Sequence, residues 1–129
     1  DDQTLYAEVK CMRRLYDMGK PQDDSLKKIT SPYSQDRSAL TDIDKLKNSA
    51  FGGHKAIIIF GYDYPDEDLT GQYKGTYPLD MMIEQFIKLA GDKLLPEHYR
   101  AAFEGLIHPY HKQGVVYGWM LSELGGGPE

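Results

Sequence analysis

The fold of this chain is constrained most by one short apolar run, Ala56 to Phe60. Its isoleucines are β-branched, and an uninterrupted apolar stretch of this length is typical of a strand buried on both faces inside a parallel sheet. We therefore predict a strand over residues 54–62. Parallel neighbours need a crossover connection, usually a helix, so the segments before this strand decide the topology.

A helix is predicted directly before this strand. Ser34 is a suitable N-cap, Asp36 lies in the first turn, and the glycine pair 52–53 ends the segment. Charged side chains such as Asp42 are assigned to a solvated outer face. The helix carries one apolar stripe, formed by Ala39, Leu40, Ile43, Leu46 and Ala50.

The N-terminal segment 4–11 alternates in polarity and predicts a further strand. Its apolar side chains are assigned to the core, and the opposite face carries Tyr6, Glu8 and Lys10. Strand, helix and strand then form a βαβ unit with parallel strands. The apolar set of this strand consists of Leu5, Ala7, Val9 and Cys11.

The predicted fold class is α/β, with a mixed β-sheet that contains the parallel βαβ unit, flanking helices and a C-terminal β-hairpin. Residues 17–33 are predicted to be irregular, and residues 63–77 to form a polar loop. The remaining predicted elements are a helix from Pro78 to Gly91, a helical turn over Pro96–Ala102, and a hairpin of strands 103–110 and 115–121 turning at 112–114. Phe86, Phe103, Tyr117 and Trp119 are assigned to packing between hairpin and helix.

Composition restricts the class of protein. The 129 residues fit one domain, predicted over 1–124, with a flexible tail at 125–129. A net charge of −5 argues against a general nucleic-acid coat, because that role needs clustered cations. The single Cys11 cannot form an intramolecular disulfide, so a reducing, cytoplasmic location is expected. No apolar run is long enough to predict a membrane span.

The tripeptide Glu8-Val9-Lys10, followed by a helix and a short aliphatic strand, resembles the catalytic half of the PD-(D/E)xK, restriction-endonuclease-like superfamily. The resemblance covers about residues 2–62. It implies a restriction-endonuclease-like core and hydrolysis of DNA phosphodiester bonds that depends on Mg²⁺ or Mn²⁺, plausibly in restriction or defence. By the same resemblance Glu8 is a metal ligand and the Val9 carbonyl a second one. The resemblance also implies that Lys10 orients or polarises the attacking water and stabilises the charge that develops on the phosphoryl oxygens.

The chain departs from the family pattern upstream of Glu8. The family has another acidic metal ligand, usually ten or more residues earlier, whereas Asp2 stands only six residues before Glu8. Asp2 is therefore the candidate third metal ligand only if it lies at a tight bend. Otherwise the core is incomplete at the N-terminus and a companion polypeptide segment supplies the acid. The alternative for Glu8 and Lys10 is a weak ion pair on an exposed strand face.

Several basic residues follow the first strand. The nuclease interpretation predicts that they contact DNA phosphates, and the alternative is that they belong to a solvated loop surface. Dimerisation or target contact is the expected role of the aromatic hairpin, which makes a homodimer one expectation. A competing hypothesis is a non-catalytic nuclease-like module that binds DNA or a protein partner. His108 and His111 supply two ligands where a zinc site needs three or four. The predicted phosphate contacts are Arg13, Arg14, Lys20, Lys27 and Lys28.

Overall fold

The structure, a computed structural model, describes residues 4–14, 24–63, 78–108 and 111–122. The predicted tail 125–129 lies outside these residues. Short 3-10 turns occur at Ser34–Asp36 and Gly91–Lys93. In chain order, the helices and strands are β1 (Leu5–Met12), α1 (Ser25–Thr30), α2 (Ala39–Lys47), β2 (His54–Asp63), α3 (Leu79–Ala90), β3 (Leu94–Phe103) and β4 (Gln113–Leu121).

The strands form one mixed sheet in the order β1-β2-β4-β3. Strand β1 runs parallel to β2, with Glu8 beside Ile57 and Lys10 beside Ile59, and the other two pairings are antiparallel. The connection between the parallel strands contains α1 and α2. The predicted α/β class, the parallel βαβ unit and the C-terminal hairpin are therefore confirmed.

The hydrophobic core lies between the helices and one face of the sheet. Buried side chains of the three helices, represented by Ile29, Ile43 and Phe86, cluster with Ile57 and Trp119 of the strands. The rings of Phe86 and Trp119 are 5.2 Å apart, as the sequence predicted for this pair. Within the described residues the protein thus has two layers.

Strand β2 is covered fully on one face only. Ile57 and Ile59 have no exposed surface, whereas Ile58 and Phe60 on the other face are half-buried. The prediction of a strand buried on both faces is therefore wrong for the second face. An apolar run does not reveal whether one or both faces of the sheet are covered. A sheet covered on one face and a sheet covered on both faces each remove apolar surface from water.

The orientation of β1 is the reverse of the prediction. Leu5 and Val9 are 55% and 57% exposed, whereas Glu8 and Lys10 are half-buried on the helix side and Met12 is fully buried there. Side chains of adjacent residues in neighbouring strands point to the same face, so pairing with Ile57 and Ile59 turns Glu8 and Lys10 toward the helices. The register with β2 decides this, and the polarity of β1 alone misassigns it.

Helix boundaries differ from the prediction around α1 and α2. The stretch predicted to be irregular contains α1, and α2 begins after Ser38. Arg37 adopts a left-handed conformation with φ of 49°, which separates the 3-10 turn at Ser34 from α2. Helix α2 ends at Lys47, so Ala50 lies outside it and is exposed.

The prediction of residues 103–110 as the first strand of the hairpin is wrong, because β3 covers Leu94–Phe103. Residues 96–102, predicted to be helical, belong to β3, and residues 104–112 connect β3 to β4. Pro96 falls within a register shift between Leu94 and His98, where a residue without an amide hydrogen is tolerated. Phe103 lies against Tyr62, with ring centres 6.0 Å apart, and the core cluster of α3 and Trp119 does not include it.

Candidate active site on the first strand

Glu8 and Lys10 lie on the same face of β1, half-buried beside the helices. Two residue rises separate them, roughly 6–7 Å along the strand. In the described sheet β1 is an edge strand, paired only with β2. The predicted catalytic pair is thus presented at the rim of the sheet, where one flank adjoins the helical layer.

Lys10 reaches two groups that precede or lie within α2. Its Nζ lies 3.0 Å from Asp42 Oδ2 and donates a hydrogen bond to the Arg37 carbonyl oxygen at 2.7 Å. The Lys10 side chain is 24% exposed and that of Asp42 only 5%. The contact to Oδ2 lies off the directions of a hydrogen bond, so charge attraction holds the pair.

Asp42 is the residue of this site that sequence reasoning missed. The solvated outer face predicted for it is wrong, because it is buried with Ala39, Ile43 and Leu46. Positions 39, 42, 43 and 46 follow the spacing of one helix face, so the signal was present in the sequence. An acid within an apolar stripe indicates a buried partner, and here the partner is Lys10.

The N-terminus of α2 is fixed by hydrogen bonds of a buried serine. Ser38 Oγ accepts a hydrogen bond from the Thr41 amide at 3.3 Å and donates one to the Ser31 carbonyl at 2.6 Å. Ser31 Oγ in turn donates to Asp36 Oδ2 at 2.5 Å. These contacts hold the first turn of α2, from which Asp42 approaches Lys10.

The Val9 carbonyl is directed away from β2. The Thr4 carbonyl accepts a hydrogen bond from the His54 amide at 2.9 Å, so it points toward β2. Carbonyl directions alternate along a regular strand, and the β1–β2 register is continuous from Leu5 to Met12. The Val9 carbonyl therefore projects from the outer edge of β1, one residue after Glu8.

The predicted metal site would draw only some of its ligands from the described residues. Among them no group of three or more His, Cys, Asp or Glu side chains is arranged to hold a metal ion. Asp2, the predicted third ligand, lies outside the described residues. Glu8 and the Val9 carbonyl offer hard oxygen donors, and Mg²⁺ commonly takes one or two carboxylates, with waters and phosphate oxygens as its other ligands.

The predicted phosphate-binding residues divide into two groups. Arg13 and Arg14 follow β1 directly and are half-buried, whereas Lys27 and Lys28 are exposed on α1. The Arg13 carbonyl accepts a hydrogen bond from the Ser25 hydroxyl, which joins the end of β1 to the start of α1. Lys20 lies outside the described residues.

Arg14 borders a small polar cavity of 90 Å³ at the end of β1 and β2. Its other walls include Asp63, Asp80, Arg100 and Tyr117. Two acids and two arginines thus surround this cavity, so their formal charges cancel. Arg14 is accordingly less exposed to an approaching phosphate than Lys27 and Lys28 are.

Tyr117 connects the hairpin to α3 at this cavity. Its hydroxyl donates a hydrogen bond to Asp80 Oδ1 at 2.8 Å, and the Arg100 guanidinium lies 5.8 Å from the centre of its ring. Burial, followed by the hydrogen bond and charge of Asp80, raises the pKa of Tyr117 to about 12, against an ordinary value of 10.0. The phenol therefore keeps its proton to a more alkaline pH than an exposed tyrosine does.

His108 and His111 pack against each other. Their rings stack with centres 4.5 Å apart, and the His111 amide donates to His108 Nδ1 at 3.0 Å. His111 is buried and also stacks on Tyr62 at 4.3 Å. These contacts give the two histidines a packing role in the connection between β3 and β4.

No family model, curated protein or solved structure matches this chain. None of the helices in the described ranges has the length and apolar character needed to cross a bilayer.

Proposed function

We propose that this chain carries the catalytic half of a divalent-metal-dependent endonuclease of restriction or defence type, which hydrolyses phosphodiester bonds of DNA. The observation that carries the proposal is the arrangement on β1. Glu8 and Lys10 share one face at the sheet edge, the Val9 carbonyl projects from that edge, and the buried Asp42 lies beside Lys10. The restriction-endonuclease-like core belongs to the same proposal.

The donors on β1 fit a Mg²⁺ or Mn²⁺ ion. Glu8 and the Val9 carbonyl would hold it, and Asp2 or a companion polypeptide segment would complete the carboxylate ligands. When bound, the ion supplies Lewis acidity toward a phosphoryl oxygen and lowers the pKa of a coordinated water.

Lys10 would bind the attacking water or a phosphoryl oxygen. An ammonium group carries three N–H donors, and the hydrogen bond to the Arg37 carbonyl engages one of them. A remaining donor would serve the reacting group, while this hydrogen bond and the charge attraction of Asp42 hold the long side chain in one orientation. Asp42 would thus act as a positioning residue for Lys10.

The DNA backbone would be bound next to this pair. Lys27 and Lys28 are exposed on α1, and a hydrogen bond from Ser25 to the Arg13 carbonyl attaches that helix to the end of β1. Phosphate contacts of this kind position a duplex without reading its sequence. Arg13, Arg14 and Lys20 remain candidates for the same role.

The decisive experiment is cleavage of supercoiled plasmid DNA with Mg²⁺ or Mn²⁺. Lys10→Ala alone would leave Asp42 buried without its cation, so the informative comparison is Asp42→Asn against Asp42→Asn with Lys10→Ala. We expect the double variant to cleave about 100-fold more slowly, the effect of removing one donor to a developing charge. Lys45→Ala, an exposed lysine on α2, is the control for loss of positive charge.

Metal binding gives a readout independent of turnover. Binding of Mn²⁺, followed by electron paramagnetic resonance, should weaken in Glu8→Gln and remain unchanged in Glu84→Gln, an exposed glutamate on α3. Equal cleavage by the two Asp42 variants, or no cleavage with either metal, removes the catalytic claim for this chain.

The second candidate is a non-catalytic module that binds DNA or a protein partner. The contacts of Lys10 to Asp42 and the Arg37 carbonyl favour it, because they also satisfy a purely structural role. DNA binding without cleavage, and without dependence on divalent metal, would support this candidate over the nuclease.

A further inference from the structure

Among the described residues, no helix covers the second face of the sheet, which we call the open face. It comprises the odd-numbered residues of 5–11 and 99–103 and the even-numbered residues of 56–62 and 116–120, which the strand register places together. Leu5 is 55% exposed, Val9 57% and Tyr99 67%. A sheet that is covered on one face normally carries polar residues on its exposed face, whereas β1 carries apolar residues there.

None of the residues that define the open face carries a charged side chain. The formal charge of −5 therefore lies elsewhere on the chain. DNA is a poor occupant, because phosphate binding requires lysine and arginine. A matching surface has to be apolar, nearly flat and uncharged, since an unpaired charge would lose its hydration there.

We propose that a second copy of this chain covers the open face, so that two sheets stack face to face about a two-fold axis. The open face of a second copy has the required chemistry: it is apolar, uncharged and of the same width. Aligned sheets pack about 10 Å apart with interdigitated side chains. A groove of 560 Å³, bordered by Leu5, Ile58, Tyr99 and Met120 and also by Arg100, provides the relief into which projecting side chains of the other copy fit.

The size of the open face is sufficient for such a contact. Its four strands, about 4.8 Å apart, contribute about six residues each, which gives roughly 400 Å². Two copies together would bury on the order of 800 Å², which is the size of a weak interface that forms only at high protein concentration. Gly118 leaves the centre of the face without a projecting side chain, and a Cβ built there would have only Ile58 Cγ1 within 4.0 Å. This inference does not depend on the proposed nuclease chemistry.

The test is the oligomeric state of the purified chain. Sedimentation equilibrium from about 1 to 300 µM should give a mass that rises from 14.7 kDa toward twice that value. Leu5→Glu and Tyr99→Glu should each weaken dimerisation at least tenfold, because each places a charge in the apolar contact. Leu89→Glu is the matched control, since Leu89 is 56% exposed on α3, away from the open face.

Alkylation of Cys11 locates the contact, because this half-buried residue belongs to the open face. Its reaction rate with iodoacetamide should fall as the wild-type protein dimerises and should not depend on concentration in Tyr99→Glu. Circular dichroism establishes that each variant is folded, and the two substitutions serve as independent tests. A wild-type monomer throughout the range overturns the proposal and leaves the face to a different polypeptide. A dimer that both glutamate variants leave intact also overturns it.

Discussion

The ammonium of Lys10 lies 3.0 Å from the carboxylate of Asp42, a pair formed between the edge strand β1 and the crossover helix α2. Asp42 is almost fully buried, whereas Lys10 retains contact with solvent. The pair therefore joins the two elements of the βαβ unit on which the candidate active site depends. Removal of Lys10 and removal of Asp42 should therefore change the stability of the fold by different amounts.

Replacement of Lys10 by methionine should destabilise the fold by about 2–4 kcal/mol, because it leaves a buried carboxylate without its cation. The double variant Lys10→Met with Asp42→Asn should recover part of this loss. Urea unfolding measures both free energies of unfolding. Lys45→Met, at an exposed position of α2, should change stability by less than about 0.5 kcal/mol. Equal effects of Lys10→Met and Lys45→Met would mean that the pair contributes nothing to stability.

Ser38→Ala should destabilise the protein by about 1–2 kcal/mol, because it removes the cap of α2 and the hydrogen bond to the Ser31 carbonyl. Ser34→Ala is the natural comparison, since Ser34 is exposed and belongs to the preceding 3-10 turn. Its effect should stay within about 0.5 kcal/mol. Thermal or chemical unfolding of the two variants decides which serine caps the helix. A larger loss of stability in Ser34→Ala than in Ser38→Ala would identify Ser34 as the cap.

Alkaline pH should destabilise the protein through Tyr117. Its pKa is about 12 in the folded protein and near 10.0 when unfolded, so between these values the folded state binds more protons. The stabilisation is fully present below pH 10 and is lost as the pH rises through 12. We expect a loss of about 1–2 kcal/mol, because exposure of Asp80 weakens its share of the effect.

Tyr117→Phe isolates this contribution to the pH dependence. Its free energy of unfolding should fall less steeply than that of the wild type between pH 9 and 11.5, as measured by urea titrations at each pH. Tyr99→Phe removes an exposed phenol and should retain the wild-type slope. Identical slopes for the wild type and Tyr117→Phe would contradict the assignment.

Gly114→Ala should be among the most destabilising small substitutions in the sheet. A Cβ at this position would lie 2.0 Å from the Gly61 carbonyl oxygen and 2.6 Å from Phe103 Cζ, so the strands would have to separate. We expect a loss of more than about 3 kcal/mol, as in severe overpacking. Gly118→Ala on the same strand has room for its methyl group and should be neutral or slightly stabilising. Unfolding in urea at low micromolar protein concentration compares the two without interference from association.

The DNA-binding proposal predicts a specific change in salt dependence. The double variant Lys27→Gln with Lys28→Gln should reduce the slope of log affinity against log salt by about 1.8, or about 0.9 for each phosphate that is no longer neutralised. Fluorescence anisotropy with a labelled duplex, across several salt concentrations, gives this slope. Lys45→Gln with Lys88→Gln removes the same charge from exposed positions of α2 and α3. A similar decrease in both double variants would indicate only an effect of net charge.

Most elements were predictable because they depend on local patterns, whereas α1 and the position of β3 were not predicted. The strand around Ile58, the amphipathic helix before it and α3 all follow from apolar spacing, and the structure confirms each of them. Element boundaries were less predictable. Two serines, Ser34 and Ser38, compete as caps for α2, and the left-handed conformation of Arg37 selects the second. Residues 98–103 pair with β4 in the sheet, a long-range contact that local patterns do not show.

The sequence by itself determined that Glu8 and Lys10 share a strand face, because side chains two residues apart in a strand always do. It also placed Asp42 in the spacing of a buried helix face. Only the tertiary structure decided which face of β1 meets the helices, since the register with β2 turns Glu8 and Lys10 inward and Leu5 and Val9 outward. Local polarity could not settle this choice, because the half-buried Lys10 gains its ion pair with Asp42 only after α2 has packed against the sheet.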